Sequence, residues 1–80
     1  MMDVRHRYIG REIKSEIVRR GLRQADIARR LNLDRVTVNR QLNAATRSDF
    51  FILMSIIEEL GLNAHELYRK AKEAQHENQA

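Results

Sequence analysis

The side chains best suited to bind a ligand lie between positions 35 and 43, a short segment rich in arginine, threonine and asparagine. On a helix with 3.6 residues per turn, one face opposite Val38 and Leu42 carries positions 35, 36, 39, 40 and 43. A guanidinium can donate two hydrogen bonds to O6 and N7 of guanine, an asparagine amide can pair with adenine, and the methyl groups of Val36 and Thr37 can touch that of thymine. The pattern indicates a helix that reads base edges.

Catalytic and metal-binding patterns are weak in the rest of the chain. The histidines at 6, 65 and 76 are scattered, and none has a second ligand three or four residues away on a buried face. Glu58 and Glu59 are adjacent, so they point in different directions from a helix. No serine has a neighbouring base, and no glycine-rich phosphate loop occurs. We therefore expect no enzyme, metal site, cofactor or small-molecule ligand.

The elements that must position the segment 35–43 can be placed from apolar spacing. Ile9, Ile13 and Ile17 recur every four residues and predict a first helix from about Arg7 to just before Gly21. Similar spacing predicts helices over 24–31, 34–43 and 49–60, and a fifth that follows residue 63. No strand-like alternation occurs, so the predicted class is all-α.

The predicted helix ends depend on residue type. Gly21 and Gly61 suit the residue just after a helix, and Asn32 can adopt a left-handed conformation in the turn between the second and third helices. Asp34 and Ser48 are predicted to cap the third and fourth helices at their first turn.

Length and composition indicate the number of domains and the cellular compartment to expect. Eighty residues, 42% of them hydrophobic and 32% charged, predict a single domain over 1–80 with an ordered core of about 7–72. Residues 1–7 have little to bury and are expected to fray, with a basic arm as the alternative, and residues 72–80 are also expected to fray. Without cysteine or a long apolar run, we expect a cytoplasmic, nucleoid-associated protein and no membrane partner.

The positive charge is concentrated around the segment 35–43. The net formal charge is +1 over residues 1–18, +6 over 19–47 and −3 over 48–80, which sums to +4. All eight basic residues in 19–47 are arginines, whose planar fork suits phosphates and guanine edges. Solvated helix faces are the alternative, but the distribution favours nucleic acid as the partner.

The fourth helix carries more apolar residues than one buried face needs. Leu53, Ile56, Ile57 and Leu60 suffice for the core, and this leaves a surplus of Phe50, Phe51 and Met54. The surplus either covers the preceding loop and the first helix or forms a dimer contact.

At this point the chain resembles a known family. The segment 21–43, GLRQADIARRLNLDRVTVNRQLN, followed by LGLNAHEL at 60–67, is similar to lambda-repressor-like, Cro/XRE-type helix-turn-helix domains. The resemblance covers about residues 9–71. It implies a compact five-helix domain with the helix-turn-helix at helices 2–3 and the third helix in the major groove of double-stranded DNA.

The resemblance also implies roles for particular residues. The positions that meet base edges are Arg35, Val36, Thr37 and Arg40, and those that contact phosphate or the backbone are Gln24, Asn39, Asn43, Thr46 and Arg47. Gln24 would also brace residue 35. Three residues depart from the family pattern: Arg23 replaces a capping Ser or Thr, Asn32 replaces the usual turn glycine, and Gln41 replaces a small or apolar residue. We therefore expect a lost or replaced cap on the second helix and a rotated or shortened end of the third.

These expectations describe a sequence-specific transcriptional regulator, a homodimeric repressor that occupies an operator with two half-sites. The alternative is an antitoxin or adaptor whose main role is to bind a protein partner, which the surplus phenylalanines favour.

Overall fold

The helix boundaries follow most of the end signals in the sequence. The computed structural model describes the backbone of residues 4–79 and the side chains of residues 4–77. This part of the chain has no strand and forms five helices: α1 (Val4–Arg19), α2 (Gln24–Arg30), α3 (Arg35–Leu42), α4 (Phe50–Glu59) and α5 (Ala64–Gln79). The predicted all-α class and the five helices are confirmed.

Four helix ends share one hydrogen-bond pattern. After α1, the N–H of Gly21 donates to the Val18 carbonyl and the N–H of Leu22 donates to that of Ile17, which is the Schellman arrangement. The same pair of bonds recurs after α2, α3 and α4. Each end places one residue at positive φ, namely Gly21, Asn32, Ala44 and Gly61. Only the left-handed Ala44 was not predicted.

The core is built from one apolar face of each of the first four helices. Its buried members are Ile13, Ile17, Ile27, Ala28, Val38, Leu42, Ile56, Ile57 and Leu60. Helix α1 contacts both α5 and α3, and α3 also contacts α2 and α4. The helix with the most candidate reading residues is therefore held by three others.

Helix α1 begins earlier than predicted. It starts at Val4 rather than near Arg7, because His6 and Gly10 extend its buried face toward the N-terminus. The Nε2–H of the buried His6 donates to the Gln41 carbonyl at 2.7 Å. Residues 4–7, for which fraying was predicted, are thus part of the helix, and residues 1–3 lie outside the described part.

Helix α5 continues beyond the predicted limit of about residue 72. It is helical to Gln79, whereas fraying was expected after the fifth helix's first turns. Fully buried Ala71 anchors its middle, and Arg69 pairs with Glu66 and Glu73 on either side. Ion pairs at i,i+3 and i,i+4 support an exposed helix. Residue 80 lies outside the described part.

Candidate nucleic-acid interface

The start of α3 is fixed by a side-chain cap. The carboxylate of Asp34 accepts a hydrogen bond from the backbone N–H of Val36 at 3.2 Å, as predicted for this residue. Arg35 and Val36 form the exposed first turn of the helix. Their side chains therefore project from a fixed helix end rather than from a loop.

The two faces of α3 differ as the spacing predicts. Val38 and Leu42 are fully buried, and the exposed residues are Arg35, Val36, Asn39, Arg40 and, just past the helix, Asn43. Thr37 is half-buried at the edge of this face. We call the exposed set the α3 face. It combines guanidinium, amide and methyl groups, which are the groups that distinguish base pairs in the major groove.

A hydrogen bond from α2 orients one residue of the α3 face. The Asn39 amide donates through Nδ2 to Oε1 of Gln24 at 3.1 Å. Gln24 was expected to brace the residue at position 35, and its partner in the structure is Asn39 instead. The Asn39 amide keeps its oxygen and its second N–H for a ligand.

The arginines of residues 19–47 divide into paired and unpaired groups. Five form ion pairs with Glu16, Asp26 or Glu59: Arg19, Arg20, Arg23, Arg29 and Arg30. Within residues 4–77, no ion pair involves Arg35, Arg40 or Arg47. All three are exposed. Within residues 19–47, the positive charge near the end of α1 and on α2 is thus partly offset by three carboxylates, whereas the described residues offer no ion pair to the arginines of α3 and the loop after it.

Asp26 replaces the cap that Arg23 cannot provide for α2. A guanidinium has no acceptor, so only the reciprocal half of a capping box is possible, and Asp26 accepts from the backbone N–H of Arg23 at 2.8 Å. Its other carboxylate oxygen accepts from Arg29 at 2.8 Å. The hydrogen bond from the Arg23 backbone, with the charges of Arg23 and Arg29, lowers the pKa of Asp26 below its usual 3.8.

Gln41 holds the loop after α3 instead of disturbing the helix. The side chain is only 4% exposed, its Nε2 donates to the Arg47 carbonyl, and its Oε1 accepts from the Asp49 N–H, each at 2.9 Å. The expected rotation or shortening of the helix is wrong, because α3 reaches Leu42 with Arg40 exposed. Gln41 thereby fixes the backbone on which the half-buried Thr46 and exposed Arg47 lie.

The cap of α4 is shifted by one residue from the prediction. Asp49, not Ser48, has the extended conformation of an N-cap, and its carboxylate accepts from the Ile52 N–H at 3.1 Å. The N–H of Asp49 precedes the helix and needs a partner outside it, and it donates to Oε1 of Gln41.

Three residues of α1 contact the C-terminal end of α3. His6 bonds to the Gln41 carbonyl, Gly10 lies against the backbone of Leu42, and Lys14 Nζ donates to Oδ1 of Asn43. His6 and Gly10 continue the Ile13 and Ile17 face at positions 6, 10, 13 and 17. This helical spacing was the available signal, and sequence reasoning missed it because neither residue is apolar.

A groove of about 710 Å³ runs between α1, the start of α2 and the α3 face. Its polar lining includes Lys14, Arg23, Gln24, Arg35, Asn39 and Arg40. Among the described residues that line it, none is acidic, and Val18 and Val36 supply exposed apolar surface. The groove can therefore accept an anionic ligand that also presents apolar edges.

The predicted dimer residues do not behave as one group. Phe50 and Phe51 are 67% and 79% exposed, and their rings meet edge to face at 5.5 Å. Met54 is partly buried against the core. A second groove, of about 680 Å³ and mainly apolar, lies between the starts of α1, α4 and α5 and includes Phe50, Met54 and Tyr68. Of the apolar residues of α4 that the core does not need, Phe50 and Phe51 are thus exposed and do not cover the preceding loop.

In residues 4–79, no cluster of three or more His, Cys, Asp or Glu could hold a metal ion, and no helix has the length and apolar character needed to cross a membrane. Comparisons with protein-family models, curated proteins and solved structures give no match for this chain.

Proposed function

We propose that this chain is a sequence-specific double-stranded-DNA-binding regulator of transcription, with α2 and α3 acting as a helix-turn-helix of the lambda-repressor-like type. The observation that carries the proposal is that, within residues 4–77, Arg35, Arg40 and Arg47 form no ion pair whereas five other arginines do. A face that keeps its cations unneutralised on a firmly held helix suits an anionic ligand.

The contacts would divide between bases and phosphates. In the proposed complex, Arg35 and Arg40 pair with guanine, and Val36 and Thr37 touch thymine methyl groups. Gln24, Asn39 and Asn43 contact phosphates or the rims of bases, and Thr46 and Arg47 bind the backbone from the loop that Gln41 holds. Base contacts set the sequence preference, whereas backbone contacts set the register.

The mechanism we propose is occupancy of an operator that overlaps a promoter, by a homodimer. Two-fold symmetric dimers of helix-turn-helix proteins bind half-sites about 34–36 Å apart, one turn of DNA. The exposed Phe50 and Phe51 supply apolar surface for the dimer contact, with the neighbouring Met54 completing its edge.

Selection from a pool of random duplexes tests the proposal. We expect an enriched motif of two symmetric half-sites, each with guanines. The double variant Arg35→Ala, Arg40→Ala should enrich no such motif. The control Arg19→Ala, Arg29→Ala removes two exposed but paired arginines and should enrich the wild-type motif. No enrichment by the wild type, or equal enrichment by both variants, would contradict the proposal.

A second candidate function is favoured by the apolar groove beside Phe50 and Tyr68. In this case the chain is an antitoxin or adaptor module that binds a protein partner there. The molar mass of the protein in solution and its affinity for duplex DNA distinguish the two functions. A homodimer that binds duplex DNA unaided favours the regulator, whereas a monomer without DNA affinity favours the adaptor.

A further inference from the structure

We infer that α1 carries a second phosphate-binding strip, formed by Arg7, Arg11 and Lys14, which contacts the sugar–phosphate backbone of the same duplex that α3 enters. We call these three residues the α1 stripe. The inference rests on the proposed function, since it needs a duplex on the α3 face, and it adds a contact surface on a helix outside the helix-turn-helix.

The spacing of the α1 stripe places its cations on one side of α1. Positions 7, 11 and 14 follow the i, i+4, i+7 pattern of a single helical face. Arg7 and Arg11 are exposed and Lys14 is half-buried. With a rise of 1.5 Å per residue, the stripe spans about 10 Å along the axis. Its three cations can therefore contact separate phosphates.

Among the described residues, the α1 stripe also has no acidic partner. Farther along the same helix, Glu16 pairs with both Arg19 and Arg20. Within residues 4–77, no ion pair involves the stripe, and the Arg11 guanidinium instead lies 6.0 Å from the centre of the Tyr8 ring. Glu16 thus offsets part of the positive charge at the C-terminal end of α1, whereas no ion pair within residues 4–77 offsets that of the stripe.

The α1 stripe is continuous with the α3 face, which distinguishes it from an ordinary solvated helix surface. Lys14 lines the large groove together with Arg35 and Arg40. A smaller cleft of about 270 Å³ is lined by Val4, Arg7, Arg11, Lys14, Leu42 and Asn43. Lys14 therefore lines both the groove and the cleft. A DNA strand that runs out of the groove would contact the α1 stripe next.

The chemistry of the smaller cleft suits a phosphodiester. Among the described residues that line it, three are cationic and none is acidic. Asn43 uses its Oδ1 to accept from Lys14, so its Nδ2 remains a donor. Two guanidinium groups, an ammonium and an amide N–H can thus donate to the same anionic backbone, and charge-assisted hydrogen bonds of this kind are strong.

The salt dependence of duplex binding tests the stripe without relying on affinity alone. Each phosphate contact contributes about −0.9 to the slope of log Kobs against log salt concentration. Arg7→Gln with Arg11→Gln should therefore make the slope shallower by about 1.8 for each bound protomer, or about 3.6 for the homodimer on two half-sites. For a roughly fourfold rise in salt, the variant should lose about 12-fold less affinity than the wild type per bound protomer, or about 150-fold less for the homodimer. The preferred base sequence should stay the same, because phosphate contacts carry no sequence information.

The matched control is Lys70→Gln with Lys72→Gln. It removes the same charge and also one cation beside a tyrosine ring, since Lys72 lies 5.9 Å from the Tyr68 ring centre. Neither lysine lines the groove or the cleft. We expect this control to keep the wild-type slope.

The outcomes separate the stripe from the proposed function. One result is a steep wild-type slope that changes by the same amount, or not at all, in the Arg7/Arg11 and Lys70/Lys72 variants. This result would overturn the stripe and leave DNA binding by α3 intact. A wild type with no duplex binding, or with a flat salt response, would overturn the proposed function and the stripe with it. Binding to vesicles of anionic lipid that Arg7→Gln with Arg11→Gln abolishes, without any change in the DNA slope, would assign the stripe to a membrane surface instead.

Discussion

Gly10 lies so close to the backbone of Leu42 that a Cβ on it would come within 2.0 Å of the Leu42 carbonyl oxygen. One turn before, His6 bonds to the Gln41 carbonyl, and one turn after, Lys14 bonds to Asn43. Helix α1 therefore supports the C-terminal end of α3 over three successive turns, and the close approach at Gly10 is what permits the other two contacts.

Gly10→Ala should destabilise the fold even though alanine is the better helix former. Overpacking typically costs about 1–3 kcal/mol, against a gain of about 1 kcal/mol in helix propensity. Since the clash is with backbone atoms, it cannot be relieved by a side-chain rotation, and we expect a net loss in the free energy of unfolding. Denaturant unfolding of the variant measures it.

The control for this prediction is Ser15→Ala, an exposed position on the same helix. It should be neutral or slightly stabilising. If Gly10→Ala were as stable as Ser15→Ala, the close approach of α1 and α3 would be wrong.

Local signals in the sequence were sufficient for the helices and most of their ends. Gly21, Asn32 and Gly61 are residue types that tolerate positive φ, and Asp34 is a typical cap. Ala44 carries no such signal. Its φ of 51° arises because the end of α3 closes with a Schellman pair and its methyl group is buried. Residue type could not reveal a conformation that tertiary packing imposes.

The exposed face of the candidate site could be predicted from the sequence, but the residues that hold α3 and its loop in place could not. Periodicity separated the exposed positions of α3 from the buried Val38 and Leu42, because this separation depends only on helix geometry. The roles of Gln41 and His6 depend on loop and helix backbones that are distant in sequence. The sequence therefore suggested that the buried Gln41 disturbs the end of α3. In the structure, its side chain is hydrogen-bonded and holds the loop that follows.

The stability of the fold should depend on pH through Asp26. Its pKa is lowered in the folded state, so the ionised carboxylate stabilises the fold. This contribution is fully present above the unfolded pKa of 3.8 and is lost as the pH falls through the lower folded value. We expect the difference in unfolding free energy between the wild type and Asp26→Asn to shrink as the pH falls below about 4. A difference that does not change with pH would contradict the assigned bonds to Arg23 and Arg29.

The exposed phenylalanines should govern self-association. Truncation of a central aromatic residue at an interface costs about 2 kcal/mol or more, so Phe51→Gln should raise the dimer dissociation constant at least about thirtyfold. Light scattering over a concentration series measures this. Val18→Gln removes a similarly exposed apolar side chain from α1 and should leave the dissociation constant unchanged. A monomeric wild type, or equal effects of the two substitutions, would rule out this dimer contact.

The most direct test of the account compares Arg35→Ala with Arg47→Ala on the preferred duplex and on a set with single base pairs changed. Arg35→Ala should cost about 1–3 kcal/mol per half-site and abolish discrimination at one base position of each half-site, because its guanidinium is assigned to a guanine edge. Arg47→Ala should weaken binding to all the duplexes alike, because its assigned contact is a phosphate. Equal, sequence-independent losses from both substitutions would contradict the assignment of α3 as the reading helix.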